Sequence, residues 1–147
     1  MEEVLINDDA DNRCFGCSPH NDRGLQMTFV KRAAGEVESR IDVAAHFCGP
    51  DGVIHGGVQA TLLDEAMGMA VRTVMGDDER WVVTAEFKLR YRLPAPTGQA
   101  VTVRGSVVRR EGADFFVEGA IVDTQGKRLT IADSRWRIIE PSPGTDG

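Results

Sequence analysis

The chain has 147 residues, 41% of them hydrophobic and 27% charged, which is enough for one ordinary domain to bury a sizeable core. Its formal net charge is -6, from 17 basic and 23 acidic residues. Because this charge repels phosphate backbones and anionic lipid surfaces, we predict a single-domain protein that binds neither nucleic acid nor membranes.

The N-terminus and the cysteines indicate where the protein acts. Residues 1–9 are acidic and lack the basic start and long apolar stretch of a signal peptide. No apolar run approaches membrane-spanning length. The cysteines Cys14, Cys17 and Cys48 are odd in number and too few for a disulfide framework. We therefore expect a cytoplasmic protein.

The first third of the chain predicts a leader, a hairpin and a loop. Residues 1–24 form the leader, and residues 25–30 and 36–43 are typical of two strands that are joined by a tight turn at Ala33-Ala34-Gly35. Glycine, proline and aspartate cluster within residues 44–54 and indicate a loop there.

Residues 57–75 predict a helix of about five turns, because they are rich in alanine, leucine and methionine and contain no proline. Gly76-Asp77-Asp78 ends it. The apolar residues lie around most of its circumference, so we expect the helix to be buried nearly all round. These residues are Val58, Leu62, Leu63, Ala66, Met67, Met69, Ala70, Val71 and Val74.

After the helix, four segments alternate polar and apolar residues with the period of two that is typical of strands. Short connections at Glu111-Gly112-Ala113 and Thr124-Gln125-Gly126 have hairpin length. The sequence therefore predicts an antiparallel meander of four strands. Their expected bounds are residues 81–93, 99–110, 114–123 and 127–139.

This order of elements predicts an α+β domain in which an antiparallel sheet of about six strands wraps around one long central helix. We place the domain at residues 25–140 and expect residues 141–147 to be a disordered tail. One helix cannot cover such a sheet completely, so pairing through an edge strand or an apolar face is expected. We predict an oligomer.

The start of the helix carries a glycine pair, Gly56-Gly57, directly after His55. Glycines leave backbone N–H groups uncovered at the positive end of the helix dipole, where a carbonyl oxygen can be stabilised as it becomes an oxyanion. The alternative is that the pair only permits a sharp turn into the helix, with His55 as an ordinary polar residue near the cap.

One stripe of the predicted helix is small and polar. At about 100° per residue its members fall within roughly 60° of one line. The stripe is either a reactive surface or simply a solvent-facing edge or packing seam. Its members are Gly57, Thr61, Asp64, Glu65, Gly68 and Arg72.

Two segments resemble a known family. Residues 55–68, HGGVQATLLDEAMG, are similar to the helix signature of hotdog-fold thioesterases of the phenylacetate-pathway type, and residues 14–25, CFGCSPHNDRGL, resemble the leader in one branch of that family. The similarity runs from about residue 14 to residue 141. It implies a hotdog-fold dimer or tetramer that hydrolyses acyl-CoA thioesters and uses no cofactor beyond the coenzyme A of its substrate.

The resemblance also implies site residues. The acidic residue nine positions after His55 is Asp64, which becomes the catalytic carboxylate, while Gly56 and Gly57 take the oxyanion role. Thr84 matches a position where some relatives place a hydroxyl that orients water. Strand alternation puts Thr84 on the polar side, so a β-bulge is needed to aim it at the helix. Several relatives also carry an asparagine where this chain has Gly49.

Thioesters are reactive acyl donors, so a carboxylate base for water and an oxyanion hole suffice without a serine nucleophile or a metal. Asp64 can instead attack directly and form an anhydride. Glu65 is the rival carboxylate, and the resemblance favours Asp64. Because seven residues of helix separate Gly57 from Asp64 by about 10 Å, we expect each site to combine Asp64 of one subunit with His55, Gly56 and Gly57 of its partner.

The pair Cys14 and Cys17 suggests zinc, with Cys48, His46 or His20 as further ligands. Two closely spaced ligands are only half of a tetrahedral site, and the other candidates do not repeat that spacing. We therefore predict no metal and expect the leader to pack Phe15 and the thiols near the pocket mouth.

Basic side chains follow one face of the strand predicted at residues 81–93. Among Lys88, Arg90 and Arg92, we take Arg90 and Arg92 as candidates for binding the phosphates of coenzyme A. Rows of this kind are more often solvated surface.

Two other functions fit the same pattern. An enoyl-thioester hydratase or dehydratase needs an acid–base pair at the acyl C2–C3 bond, which Asp64 and His55 of the partner could supply. A non-catalytic acyl-binding module would use the polar stripe only as a dimer seam. We predict the thioesterase.

Overall fold

The computed structural model describes residues 2–140, so the tail expected at residues 141–147 lies outside the described residues. Within them the chain forms a seven-stranded sheet, a 3₁₀ helix at Ala45–Phe47 and one long helix, α1, at Gly56–Arg72. No helix in residues 2–140 has both the length and the apolar character needed to cross a membrane. The strands are β1 (Glu3–Leu5), β2 (Phe29–Ala33), β3 (Glu36–Asp42), β4 (Trp81–Tyr91), β5 (Ala100–Glu111), β6 (Asp114–Val122) and β7 (Arg128–Ile139).

The strands pair antiparallel in the order β1-β2-β3-β5-β6-β7-β4. The prediction of a four-stranded meander is correct for β5, β6 and β7 and wrong for β4, which lies at the sheet edge beside β7. Instead, β5 pairs with β3 along the whole length of β3. Period-two alternation reports which side chains face the core, but it does not report which strand is the neighbour. The predicted hairpin of β2 and β3 is confirmed, and Gly35 in its turn has a φ of 80°.

The strand predicted at residues 25–30 is largely wrong, because β2 begins only at Phe29. Gln26 has a φ of 50°, in the left-handed region, which interrupts an extended chain. The Leu25 N–H donates to the Phe15 carbonyl at 2.7 Å, so this segment bonds to the leader rather than to the sheet. Leu25 and Met27 are buried, and their alternation therefore marks core contacts in an irregular segment.

Helix α1 packs one face against the sheet, and two sheet glycines allow the close approach. A Cβ added at Gly105 would lie 2.5 Å from the Ala66 carbonyl oxygen, and one at Gly119 would lie 3.0 Å from the Met67 sulfur. The residues buried on this face of α1 are Gln59, Leu62, Leu63, Ala66, Met67, Ala70 and Val71.

The opposite face of α1 is not buried in a single chain. Asp64 and Glu65 are half-buried and Arg72 is exposed, so the expectation of burial nearly all round is wrong for the single chain. The leader, β4 and Trp136 of β7 border this face. Helix α1 also ends earlier than predicted: after Arg72 the chain continues as a turn, in which the Met75 N–H donates to the Arg72 carbonyl.

Candidate active site

His55 caps the N-terminus of α1. Its backbone has φ -52° and ψ 137°, and its Nδ1 accepts a hydrogen bond from the Gly57 N–H at 2.9 Å. Its carbonyl accepts from the Gln59 N–H, also at 2.9 Å. A side-chain acceptor at the N-cap satisfies one of the N–H groups that a helix start leaves without a partner. Because Nδ1 accepts here, the ring proton lies on Nε2.

The peptide between Gly56 and Gly57 is held on both sides. The Tyr91 hydroxyl donates to the Gly56 carbonyl oxygen at 2.8 Å, and His55 holds the Gly57 N–H. The Gly56 N–H makes no hydrogen bond within residues 2–140. Of the two predicted oxyanion donors, the structure therefore engages the one at Gly57 and leaves the one at Gly56 available. Tyr91 was not a sequence candidate, since nothing in its neighbourhood along the chain points to a helix 35 residues earlier.

The glycines around His55 differ in how much room they have. A Cβ added at Gly57 would lie 3.2 Å from two atoms of the His55 ring, whereas one at Gly56 would meet the Tyr91 hydroxyl at an ordinary 3.5 Å. A Cβ at Gly49 would lie 3.4 Å from the His55 Cα and 3.7 Å from its ring. Position 49 therefore borders the cap, and in this chain it offers no side-chain amide.

Asp64 lies about midway along the open face of α1 and is bonded to β4. The Thr84 hydroxyl donates to Asp64 Oδ1 at 2.6 Å. The register of β4 against β7 shifts between Thr84 and Glu86, which is the bulge that strand alternation required for Thr84 to face the helix. Burial raises the pKa of Asp64, and the hydrogen bond from Thr84 partly offsets this rise.

Glu65 is engaged with the leader. The Cys14 thiol donates to Glu65 Oε1 at 3.2 Å, and the turn at Gly16 lies directly on the Glu65 side chain. Cys17 is buried beside them, and burial is the main cause that raises its pKa to about 12. The two neighbouring carboxylates therefore have different surroundings: Asp64 faces β4 and Glu65 faces the thiols.

Two adjoining cavities share Asp64 and Glu65 and form a groove along the open face of α1. Strand β4 forms one wall of the groove, and the leader contributes Phe15 and Asn7 to it. Toward the helix N-terminus the groove is lined by Phe15, Ala60, Thr61, Thr84 and Phe87, and toward the C-terminus by Asn7, Gly68, Met69, Arg72, Val82 and Trp136.

Within one chain, two groups of predicted site residues lie away from Asp64 and its groove. His55, Gly56 and Gly57 lie at the start of α1, whereas Asp64 lies two turns further on, about 10 Å along the axis. Arg90 and Arg92 are exposed and do not line the groove. Since Tyr91 reaches α1, alternation directs Arg90 to the other face of the strand.

The family model described as the thioesterase superfamily matches residues 51–130, which is more than half of the chain. The chain belongs to the thioesterase superfamily. The matched range holds the His55 cap, the whole of α1 and the bulged strand β4. It confirms the family that the helix signature predicts.

Known relatives extend this assignment. The chain is 30% identical over 114 residues to the acyl-coenzyme A thioesterase THEM4 of Rattus norvegicus, covering 77% of this chain and 47% of the rat protein. The chain thus spans about half the length of this relative.

Two solved structures confirm the predicted α+β hotdog fold. The E. coli PaaI protein from the phenylacetic acid degradation operon superposes with a TM-score of 0.70 at 18% identity, over 78% of this chain and 80% of that one. The smu.793 protein of Streptococcus mutans, bound to acetyl CoA, superposes with a TM-score of 0.69 at 18% identity, over 77% and 88% of the two chains.

Proposed function

We propose that this protein is an acyl-CoA thioesterase that releases a free acid and coenzyme A, with Asp64 as the catalytic carboxylate. The observation that carries the proposal is the half-buried Asp64 carboxylate, held by Thr84 inside a groove on a thioesterase-superfamily helix. The name of the rat relative and the acetyl CoA bound to the S. mutans protein support a coenzyme A thioester as the substrate.

The chemistry needs only a base and an oxyanion donor. Thr84 occupies Oδ1 of Asp64, which leaves Oδ2 to accept a proton from water as the water attacks the thioester carbonyl. A raised pKa makes Asp64 a better proton acceptor once it is ionised. The free Gly56 N–H, at the positive end of α1, stabilises the oxyanion. Glu65 is bonded to Cys14 and does not serve as the base.

The active form is a homodimer with two equivalent sites, and a tetramer is a pair of such dimers. Asp64 and the Gly56 N–H of one chain are too far apart to act on one carbonyl carbon, so the donor comes from the partner. The long edge strand β4 supports this arrangement, since Trp81 and Tyr91 at its two ends are about half exposed and its outer edge pairs with no strand of residues 2–140. Arg90 on this strand and Arg92 directly after it are exposed and available for the phosphates of coenzyme A.

The first experiment measures release of coenzyme A from aromatic, short-chain and long-chain acyl-CoAs. We expect Asp64→Asn to lower kcat by about 10²–10⁴-fold and Glu65→Gln to retain most of the rate. An unchanged rate in Asp64→Asn would remove the assignment. Hydration of an enoyl thioester without release would indicate the hydratase, and binding with neither reaction would indicate an acyl-binding module.

The second experiment tests the composite site by mixing two inactive variants. In Gly56→Pro chains the oxyanion donor is absent, and in Asp64→Asn chains the base is absent. A mixed dimer then has one site with both defects and one with neither, so random pairing restores about a quarter of the wild-type rate. Each variant paired with itself is the control. No recovery from verified heterodimers excludes a site shared between subunits.

A further inference from the structure

Three potential metal ligands from two separate parts of the chain meet beside the groove. Cys14 Sγ, Cys17 Sγ and a carboxylate oxygen of Glu65 all lie within 4.8 Å of one another. We propose that these three side chains bind a divalent cation of the zinc class, which fastens the leader to α1. The sequence supplied only the thiol pair and therefore favoured no metal; the third ligand comes from a helix residue 51 positions after Cys14.

The spacing of the two sulfur atoms and the carboxylate oxygen suits an ion with tetrahedral coordination. With Zn–S bonds of about 2.3 Å and Zn–O bonds of about 2.0–2.2 Å, ligand atoms around one zinc lie roughly 3.3–3.8 Å apart. Cys14 Sγ and Glu65 Oε1 are 3.2 Å apart, just below this range, and all three atoms lie within 4.8 Å of one another, so small side-chain rotations suffice to reach it. The two thiols share one turn, which the hydrogen bond from the Ser18 N–H to the Cys14 carbonyl closes at 3.0 Å.

The turn is shaped to lie against the carboxylate. A Cβ added at Gly16 would be 2.6 Å from Glu65 Cγ, so a larger residue here would displace the Glu65 side chain from the thiols. Asn7 reaches the same cluster, with its Nδ2 donating to Cys17 Sγ at 3.3 Å. Rotation of the Asn7 amide offers an oxygen as the fourth ligand, and a water molecule is the alternative.

The ligand set selects the kind of ion. Two thiolates favour soft or borderline cations such as zinc over magnesium or calcium, and the carboxylate completes a set of three negative charges around a dication. Cys14 and Glu65 are half-buried, so an ion can enter from solvent. Among residues 2–140, Cys48, His20 and His46 lie outside the cluster, which excludes the ligand sets that the sequence had suggested.

A bound ion has a structural consequence for the groove. It holds Glu65 as a ligand, and it fixes Phe15 and Asn7 in the groove wall. The reaction at Asp64 takes no part in this inference, which stands or fails independently of the proposed thioesterase activity. Because the unfolded chain lacks the assembled site, metal binding adds directly to the stability of the leader.

The test measures metal content and thermal stability of the full chain. Wild-type protein is reduced, reconstituted with zinc sulfate, dialysed and analysed by mass spectrometry for zinc. We expect about one zinc ion per chain, as for a single structural site, and a lower Tm after a strong chelator is added. Cys14→Ser and Cys17→Ser lose the zinc and the chelator effect, and Glu65→Gln binds zinc more weakly. Cys48→Ser, a cysteine outside the cluster, keeps both and is the matched control.

Cobalt(II) provides a second readout that needs no variant. Wild-type protein titrated with cobalt shows a thiolate-to-cobalt charge-transfer band that saturates near one equivalent and disappears when zinc is added. Absence of this band together with substoichiometric zinc overturns the proposal. Equal zinc content in Cys14→Ser and Cys48→Ser also overturns it. A third contrary outcome is a Cys14–Cys17 disulfide in the isolated protein, together with no metal uptake once that disulfide is reduced.

Discussion

The two faces of α1 differ in what covers them. On the sheet side Leu63 and Met67 are completely buried, and Gly105 lets the helix backbone come close. On the other side Asp64 and Glu65 are half-buried in a groove that one chain leaves open. A single helix therefore carries the stability of the fold on one face and the candidate chemistry on the other. Substitutions on the two faces are expected to have separable effects.

The largest effect is expected on the closed face. Leu63→Ala leaves a cavity between α1 and the sheet and should lower the free energy of unfolding by about 2–5 kcal/mol. Thr61→Ala on the open face is the matched control, because the Thr61 hydroxyl bonds only to the Gly57 carbonyl of its own helix. Its cost should stay below about 1 kcal/mol. Urea unfolding measures both, and equal costs would mean that the open face belongs to the core.

The next effect concerns the helix start and should change activity rather than stability. Gly56→Pro deletes the unpaired Gly56 N–H, while proline suits the first helical position and His55 already has the extended ψ that proline requires of the preceding residue. We expect kcat to fall by about 10²–10³-fold with little change in Tm.

Gly56→Ala is the control for this loss, because it keeps the N–H and its Cβ meets only an ordinary contact at Tyr91. Near-wild-type hydrolysis by Gly56→Ala and a large loss in Gly56→Pro identify the N–H as the functional group. Equal rates in the two variants contradict the oxyanion assignment.

The same contrast explains what the sequence could predict. Local patterns predict the closed face of α1, the strands from β3 to β7 and the glycine turns. Burial of one face produces a hydrophobic period in the sequence, and a turn with positive φ selects glycine. The pairing of β4 with β7 could not be predicted in this way, since alternation does not indicate which strand pairs with which. Strand β1 was missed because three residues beside acidic ones carry too little pattern.

The sequence did not predict three contacts of the site, one within the helix cap and two between residues distant along the chain. The motif predicted His55, Gly56 and Asp64, and strand alternation showed that Thr84 needs a β-bulge to face the helix. Neither indicated that the Gly57 N–H donates to His55 Nδ1. Tyr91 approaches the cap from another strand. The engagement of Glu65 by the leader likewise joins residues that only the folded chain brings together.

A smaller effect is expected when the hydrogen bond between Thr84 of β4 and Asp64 of α1 is removed. Thr84→Val removes the hydrogen bond that lowers the pKa of Asp64, so that pKa should rise further. Because the base must be ionised, the acid limb of the pH profile of kcat/KM should move to higher pH, with a loss of roughly tenfold on that limb.

Thr61→Val is the control for this shift, since Thr61 lines the same groove and its hydroxyl bonds to the Gly57 carbonyl rather than to Asp64. Its profile should match that of the wild type. An unmoved limb in Thr84→Val would mean that the group titrating in the profile is not Asp64.

The smallest effect is on stability and has the opposite sign to the effects on activity. Burial raises the pKa of Asp64 in the folded state, so the folded chain holds this proton to higher pH than the unfolded chain does. Stability contributed by Asp64 is therefore greatest below its unfolded pKa and declines as the pH rises through the folded pKa. Above that value the ionised carboxylate destabilises the fold.

Asp64→Asn should therefore raise Tm slightly at neutral pH. The difference should shrink as the pH falls through the folded pKa of Asp64 and vanish or reverse below its unfolded pKa. Melting curves of both proteins across the acid range measure this, with Thr61→Val on the same face of α1 as the control. A gain in Tm that accompanies a loss of hydrolysis is the signature of a residue kept for chemistry at a cost in stability. A lower Tm at neutral pH would instead place Asp64 among the residues that hold the open face together.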